Sequence, residues 1–297
     1  MDKKDRRLLG ELDKDSRQSL SSLGRRLGLS KEATHYRLRR LERDGIVEGY
    51  TVLVSLAKLG LTHCKLLVKF QNMTSGKKEE VISYLKEERT NWIVTCKGDF
   101  DLIAGFVVRD LKEFHDIRSR FFSTFSDHIL MSKFSVMLEG MIYGRKYLDK
   151  EQEMKTYVGE SEEAKVDAID VKILRLLSKD ARMKATELAS RTGLTARQVA
   201  YRIKRMEKEG VIRKYTVSLN HEKLGISFFK SFVYLNRPRK EALSYLEAQP
   251  NCLHNVEVLA EWDLEPEFEV FSNQEFYDIN LEERFPDIKS SDTVLID

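Results

Sequence analysis

Cysteine is scarce in this 297-residue chain, and its three thiols, Cys64, Cys96 and Cys252, lie far apart with no C-x-x-C spacing. That excludes a disulfide framework, argues against a zinc site, and makes the thiols read as free in a reducing compartment. No apolar run approaches the ~18 residues of a membrane span, and the charged N-terminus carries no secretory hydrophobic stretch. A cytoplasmic location with no membrane partner is therefore expected. No grouping of nucleophile, base and metal-ligating side chains stands out, and His35 and His63 have no ligand partner at suitable spacing. Neither an enzyme nor a cofactor is expected.

Net charge is also small, at +3, but it is unevenly placed. Residues 166–215 hold about 13 Lys and Arg against about 6 Asp and Glu, and residues 1–50 about 13 against about 9. From residue 226 onward the balance reverses, to about 6 basic against about 15 acidic. A local excess of positive charge raises affinity for phosphate backbones by counterion release.

The two basic stretches are copies of each other. Asp5 to Gly60 aligns without a gap on Asp170 to Gly225, with roughly 21 of about 56 positions identical. Each copy reads as three helices. Leu8, Leu9 and Leu12 mark the first, matched by Ile173, Leu174 and Leu177. The second stops at Gly28 or Gly193, where a residue without Cβ suits a left-handed helix end. Ser30 or Thr195 caps the third, and Thr195 with Gln198 has capping-box spacing. Its inward face is Thr34, Leu38 and Leu41, or Val199, Ile203 and Met206. A β-type run follows each.

After each triplet the order of signals is βαββαβ, the ferredoxin-like arrangement of an antiparallel sheet with helices on one side. In the first copy the strands fall near 64–70, 92–96, 102–108 and 129–138. In the second they fall near 228–235, 254–260, 264–271 and 292–296, with single helices over 240–248 and 274–283. The expected domains are 1–54, 61–148, 166–219 and 226–297, with 149–165 as a polar linker. The fold class is α+β: two winged or simple helix-turn-helix domains, each followed by a ferredoxin-like domain.

A helix, a glycine turn and a capped basic helix form the helix-turn-helix signature. The set Asp5, Leu8-Leu9, Leu12, Asp15-x-Arg17, Gly28-Leu29-Ser30, Arg37-Leu38, Gly45-Ile46 and Leu59-Gly60 resembles the N-terminal domain of the Lrp/AsnC (leucine-responsive/asparagine regulator) family. The second copy repeats it with Asp180-x-Arg182 and Arg202-Ile203. The resemblance covers nearly the whole chain as two tandem units, and implies a sequence-specific regulator that binds double-stranded DNA and assembles into dimers or larger homo-oligomers. Off the apolar stripe of the recognition helices lie Lys31, His35, Arg37 and Arg39, and Arg197, Gln198, Tyr201, Arg202 and Arg205. These are the expected DNA-binding residues, although Arg37 and Arg202, beside core positions, also suit a bridge to an acidic side chain. Gly98-Asp99-Phe100-Asp101 resembles the family's effector loop, which implies an amino-acid effector held by Gly98, Asp99 and Asp101. A hairpin turn is the plainer reading of the same residues. Two alternatives belong beside the regulator. One is a DNA-architectural protein without effector. The other, by resemblance of tandem units, is a sirohaem decarboxylase of haem biosynthesis, for which His254 stands without a paired basic residue.

The second ferredoxin-like segment lacks that glycine, having Leu259-Ala260-Glu261-Trp262-Asp263 instead. From Glu261 to Glu269 carboxylates alternate with apolar residues, which on one strand would give an acidic face and an apolar face. Such a face either lies in water or meets a basic partner. His63, Lys65, Leu67 and Lys69 alternate on the first strand of the other domain, with Lys133 on its last. The expectation is that the acidic domain pairs with the basic one rather than with itself.

Overall fold

The computed structural model describes residues 1–88, 90–149, 155–156, 163–236, 240–279, 281–285 and 287–297. In the first half the elements are α1 (Lys3–Lys14), α2 (Leu20–Leu27), α3 (Lys31–Arg43), β1 (Val47–Val54), β2 (Thr62–Phe70), α4 (Ser75–Glu87), β3 (Thr90–Gly98), β4 (Leu102–Val108), α5 (Leu111–Phe125) and β5 (Ile129–Ile142). A two-residue strand β6 (Lys155–Thr156) precedes α6 (Ala168–Lys179), α7 (Ala185–Thr192), α8 (Ala196–Lys208), β7 (Ile212–Leu219) and α9 (His221–Leu224). Then come β8 (Ser227–Leu235), α10 (Lys240–Ala248), β9 (Cys252–Leu259), β10 (Glu267–Val270), α11 (Asn273–Tyr277), α12 (Leu281–Arg284) and β11 (Ile288–Ile296). Of the expected linker, 150–154 and 157–162 lie outside the described residues.

Packing does not follow chain order. One compact unit holds both helical triplets with β1 and β7, and the other holds both ferredoxin-like domains. In the helical unit, Leu8, Leu9 and Leu12 pack on Leu23, Leu27, Leu38 and Leu41. Their counterparts Ile173, Leu174 and Leu177 pack on Leu188, Val199, Ile203 and Met206. Each such side chain contributes roughly 1.5–3 kcal/mol when fully buried. The strands cross over: Val217 and Leu219 of β7 complete the first core, and Val52 of β1 joins the second.

β1 and β7 form an antiparallel ribbon whose register is that of a local two-fold axis. Val47 opposes Leu219, Thr51 opposes Thr216, and Val54 opposes Ile212. In the repeat Val47 corresponds to Ile212, Val54 to Leu219 and Thr51 to Thr216, so each pair maps onto its reverse. Side chains obey the same symmetry. Arg17 Nη1 donates to the carbonyl of Ala181, and Arg182 Nη1 to that of Ser16. Each guanidinium stacks 5.2 Å from a tyrosine of the ribbon, Arg17 over Tyr215 and Arg182 over Tyr50. The Asp-x-Arg motif of each copy thus grips the other copy.

In the second unit the strand pairing runs β2–β4–β3–β11–β8–β10–β9–β5, and β5 also pairs with β2, closing the ring. Along β2, Cys64, Leu66 and Val68 join the core under α4 and α5, while Leu67 faces the other side. That inner side meets the second domain, where Leu67, Phe100 and Ile103 pack with Phe232, Val256, Trp262 and Val294. The acidic alternation corrects the expectation. Only Glu267–Val270 is a strand, and Glu265 and Glu269 are fully buried. Val233 O accepts from both Asp263 N and Leu264 N, and Leu235 N donates to the Asp263 carboxylate, so Glu261 to Asp263 turn instead of extending. The expected helix over 274–283 is likewise split into α11 and α12. Among the described residues no helix is long and apolar enough to cross a membrane.

Candidate nucleic-acid interface

Each recognition helix is held by its own domain from beneath. Thr34, Leu38 and Leu41 of α3, and Val199, Ile203 and Met206 of α8, are buried. Ser30 Oγ accepts from Ala33 N at 3.1 Å, and Thr195 and Gln198 close a reciprocal capping box. Gly28 and Gly193, at φ 62° and 75°, end the preceding helices in the left-handed region, where a Cβ is disfavoured.

Beside the apolar stripe the arginines are committed inward. Asp5, 1% exposed, accepts from Arg37 at 2.8 Å and Arg40 at 2.5 Å. Asp170, fully buried, accepts from Arg202 at 2.8 Å and from Arg205. Arg37 and Arg202 reach on to the N-capping Asp2 and Asp167 of α1 and α6. Hydrogen bonds to Arg37 hold the Asp2 carboxyl at about 2. Those to Asp2 and Asp5 raise Arg37 further, and Arg202 is raised in the same way by Asp170 and Asp167. Arg37, Arg202 and Arg205 therefore lock the recognition helix to the first helix of its own domain.

The exposed residues are different ones. On α3 these are Lys31, His35, Tyr36 and Arg39, with Arg39 Nη1 resting on Glu42 at 3.0 Å. On α8 they are Arg197, Gln198, Tyr201 and Lys204. The oxygen of the Gln198 amide is taken by Thr195 N at 2.9 Å, leaving its NH₂ outward. Lys204 is absent from the set drawn from the sequence, yet it occupies the repeat position of Arg39, which is the signal that identifies it. The two faces differ at matched positions: Lys31 against Ala196, Glu32 against Arg197, His35 against Ala200.

The Gly98 loop is committed elsewhere. Gly98 has φ 133°, and a Cβ there would meet Thr293 O of β11 at 2.5 Å. The close approach that needs glycine is thus to the other domain's last strand, across the Val294–Gly98 pair. Asp101 accepts from Phe70 N and Lys69 Nζ, both at 2.9 Å, and Asp99 is exposed. Burial pushes the Cys96 thiol up to about 12, which makes it a poor redox sensor.

The basic and acidic domains do meet. Lys65 Nζ pairs with Glu265, and Lys133 with Glu261 at 3.0 Å. Lys230, at the position equivalent to Lys65, bonds Glu265 at 2.9 Å and Glu267 at 2.8 Å. Ser135 and Trp262 Nε1 complete the Glu265 shell at 2.7 and 3.1 Å. Burial penalises the Glu265 charge, but Lys230 and Lys65 outweigh it and hold the carboxyl well below its ordinary range. His254 Nδ1 sits 3.0 Å from Glu267. His63 is driven down to about 4, by burial first and then by the Lys65 charge.

Residues 1–48 and 166–213 each match the winged helix-turn-helix DNA-binding family model. The HTH-type transcriptional regulator LrpA of Pyrococcus abyssi is 41% identical over 120 residues, 40% of this chain and 84% of that protein. LrpA of Pyrococcus horikoshii is 32% identical with the same coverage. Some matches are shorter: the chain spans about half the length (47%) of an uncharacterized HTH-type regulator of P. horikoshii, at 38% identity over 71 residues. The crystal structure of the siroheme decarboxylase NirDL superimposes with a TM-score of 0.64 at 13% identity, covering 99% of this chain and 90% of that one, a likeness of fold. With both triplets matching the winged-domain model and LrpA relatives covered over most of their length, the chain belongs to the Lrp/AsnC family of DNA-binding transcription regulators, as a tandem duplicate of the family's unit.

Proposed function

We propose that one chain reads one bipartite operator, composed of two inverted half-sites that differ in sequence. The observation that carries this is the local two-fold of the β1–β7 ribbon, with Thr51 opposite Thr216, combined with unequal outward faces on the two helices it relates. A family dimer of identical chains presents equal faces to a palindrome. Here Glu32 on one face corresponds to Arg197 on the other, and a carboxylate and a guanidinium favour different base edges. Lys31, His35 and Arg39 read one half-site. Arg197, Gln198, Tyr201 and Lys204 read the other, where Arg197 replaces the Glu32 carboxylate of the first face.

Selection from random duplex DNA by the full chain tests this. The expected motif is an imperfect inverted repeat, and Arg197→Ala relaxes the preference in one half only. A true palindrome, or relaxation of both halves together, overturns the bipartite reading. Enrichment of no motif favours the architectural role. An amino-acid effector at the Gly98 loop and assembly of chains into larger homo-oligomers are the finer parts of the regulator reading. An effector ammonium group at Asp101 has to displace Lys69, so calorimetry with the amino acids should show at most one such site per chain, lost in Asp101→Asn.

A further inference from the structure

The helix-facing sides of the two ferredoxin-like sheets differ at matched positions. In the first domain Leu66 of β2 lies opposite Phe134 of β5, and Leu66 is fully buried in the core beneath α5. In the second, Ser231 stands at the position of Leu66 and lies opposite Thr293 of β11. The covering helix has changed as well. Continuous α5 buries Phe114, Ile117, Phe121 and Phe125. Its counterpart is the pair of short helices α11 and α12, which bring Phe276, Ile279 and Leu281 over the sheet. Volume lost from both layers leaves a cavity of about 520 Å³ on the β8–β11 face.

We propose that this cavity binds a small neutral aromatic molecule bearing one hydrogen-bonding group, of the phenol or indole class. Its volume lies within the range of roughly 300–1,000 Å³ usual for ligand sites. The floor is polar. Ser231, fully buried, and Thr293 share a hydroxyl–hydroxyl bond of 3.0 Å, and a hydroxyl has one donor and two acceptor positions. The pair thus keeps a donor and acceptors for a guest. The walls are apolar and flat: Phe229 and Phe276 stack at 4.2 Å with planes 12° apart, and Ile279 and Leu281 are buried beside them. Aromatic guests gain from such rings by offset stacking or edge contact. The rim charges already have polar partners. Lys97 is 2.7 Å from Asp297, and Glu282 accepts from Ser291 N at 2.8 Å. The floor itself carries hydroxyls and no charge, so a neutral guest fits it.

Calorimetry on the full chain with phenol, indole and benzene as probes tests the assignment. Saturable binding of phenol and indole at one per chain is expected, with phenol about threefold or more tighter than benzene through its extra hydrogen bond. Installing the first domain's residues, Ser231→Leu with Thr293→Phe, should abolish binding. A second variant, Ser231→Ala with Thr293→Val, keeps the space and should erase the phenol preference, so the test survives if the filled variant does not fold. Absence of saturable phenol and indole binding overturns the proposal. So does unchanged binding in a folded filled variant, or a phenol preference that outlives both hydroxyls.

Discussion

Arg205 points away from the apolar stripe of its helix, and on periodicity alone it belongs to the DNA-facing surface. The structure gives it instead to Asp170, whose carboxylate also holds Arg202. A helical wheel shows which face a residue occupies but not which distant carboxylate comes beneath it. Asp170→Ala would leave two guanidinium groups beside an empty site and is expected to destabilise the chain by about 3 kcal/mol. Lys204→Ala, on the exposed face, should move stability by no more than ~0.5 kcal/mol while lowering the salt slope of DNA binding by about one counterion. Thermal unfolding and binding at several salt concentrations separate the two, and a Lys204→Ala slope equal to the parent's would remove that lysine from the interface. His63 supplies a second residue-scale test. Its folded-state value of about 4 lies below the ordinary 6.5, so the unfolded chain binds the proton first as pH falls. Its contribution is complete above pH 6.5 and is lost progressively toward pH 4, up to about 3 kcal/mol. His63→Gln should flatten the fall in thermal midpoint between pH 6.5 and 4.5. An unchanged slope would assign that fall to other groups.

At the scale of elements, much was legible in the chain. The 3.6-residue apolar spacing located α1 to α3 and α6 to α8, because each helix buries one face, and the glycine stops placed the ends of α2, α3, α7 and α8, where a left-handed residue follows the helix. The strand and helix order of both ferredoxin-like domains was legible for the same reason. Opposite charge patterns on β2 and on the segment after Trp262 also indicated that those surfaces pair, as Lys65 and Glu265 do. Less legible were features set by contacts far along the chain. Arg17 reaches a carbonyl 164 residues away, and no local pattern marks that. The run from Glu261 to Glu269 alternates like a strand, yet hydrogen bonds from Asp263 and Leu264 to Val233 fold its first part into a turn. The Lys65–Glu265 contact can be weighed with a double-mutant cycle. Glu265→Gln alone strands Lys65, leaves Lys230 with Glu267 as its remaining carboxylate, and should cost about 3–5 kcal/mol. Adding Lys65→Met should recover part of that, with a coupling of about 0.5–3 kcal/mol. Strict additivity in urea unfolding would mean that the two side chains do not share one buried site.

For the whole molecule, the consequence of those buried charges is that the two halves are not interchangeable. Lys65 and Lys230 occupy the same position in the repeat, and both are almost fully buried. Glu265 and Glu267 exist only in the second domain, because the first has Ile103 and Gly105 at the corresponding places. Pairing two first domains would bury two copies of Lys65 with no carboxylate to meet them. Pairing two second domains would bury two copies each of Glu265 and Glu267 against two of Lys230, an excess of negative charge. Only the mixed pair balances Lys65 and Lys230 against Glu265 and Glu267, and an unbalanced buried charge costs several kcal/mol. The helical unit adds the Arg17 and Arg182 exchange, but that exchange is symmetric and does not discriminate between like and unlike partners. Partner choice therefore rests on the ferredoxin-like domains. A protease site inserted between Lys150 and Glu151 of the full chain allows a direct measurement. After cleavage, native mass spectrometry should show one species containing one N-terminal and one C-terminal fragment, with no like-with-like dimers after prolonged incubation. In cleaved Glu267→Gln, two second domains would set two copies of Glu265 against two of Lys230, so the barrier to pairing them falls and C-terminal homodimers should emerge. Homodimers from the cleaved parent chain, in amounts like those of mixed pairs, would show that charge balance does not set the pairing.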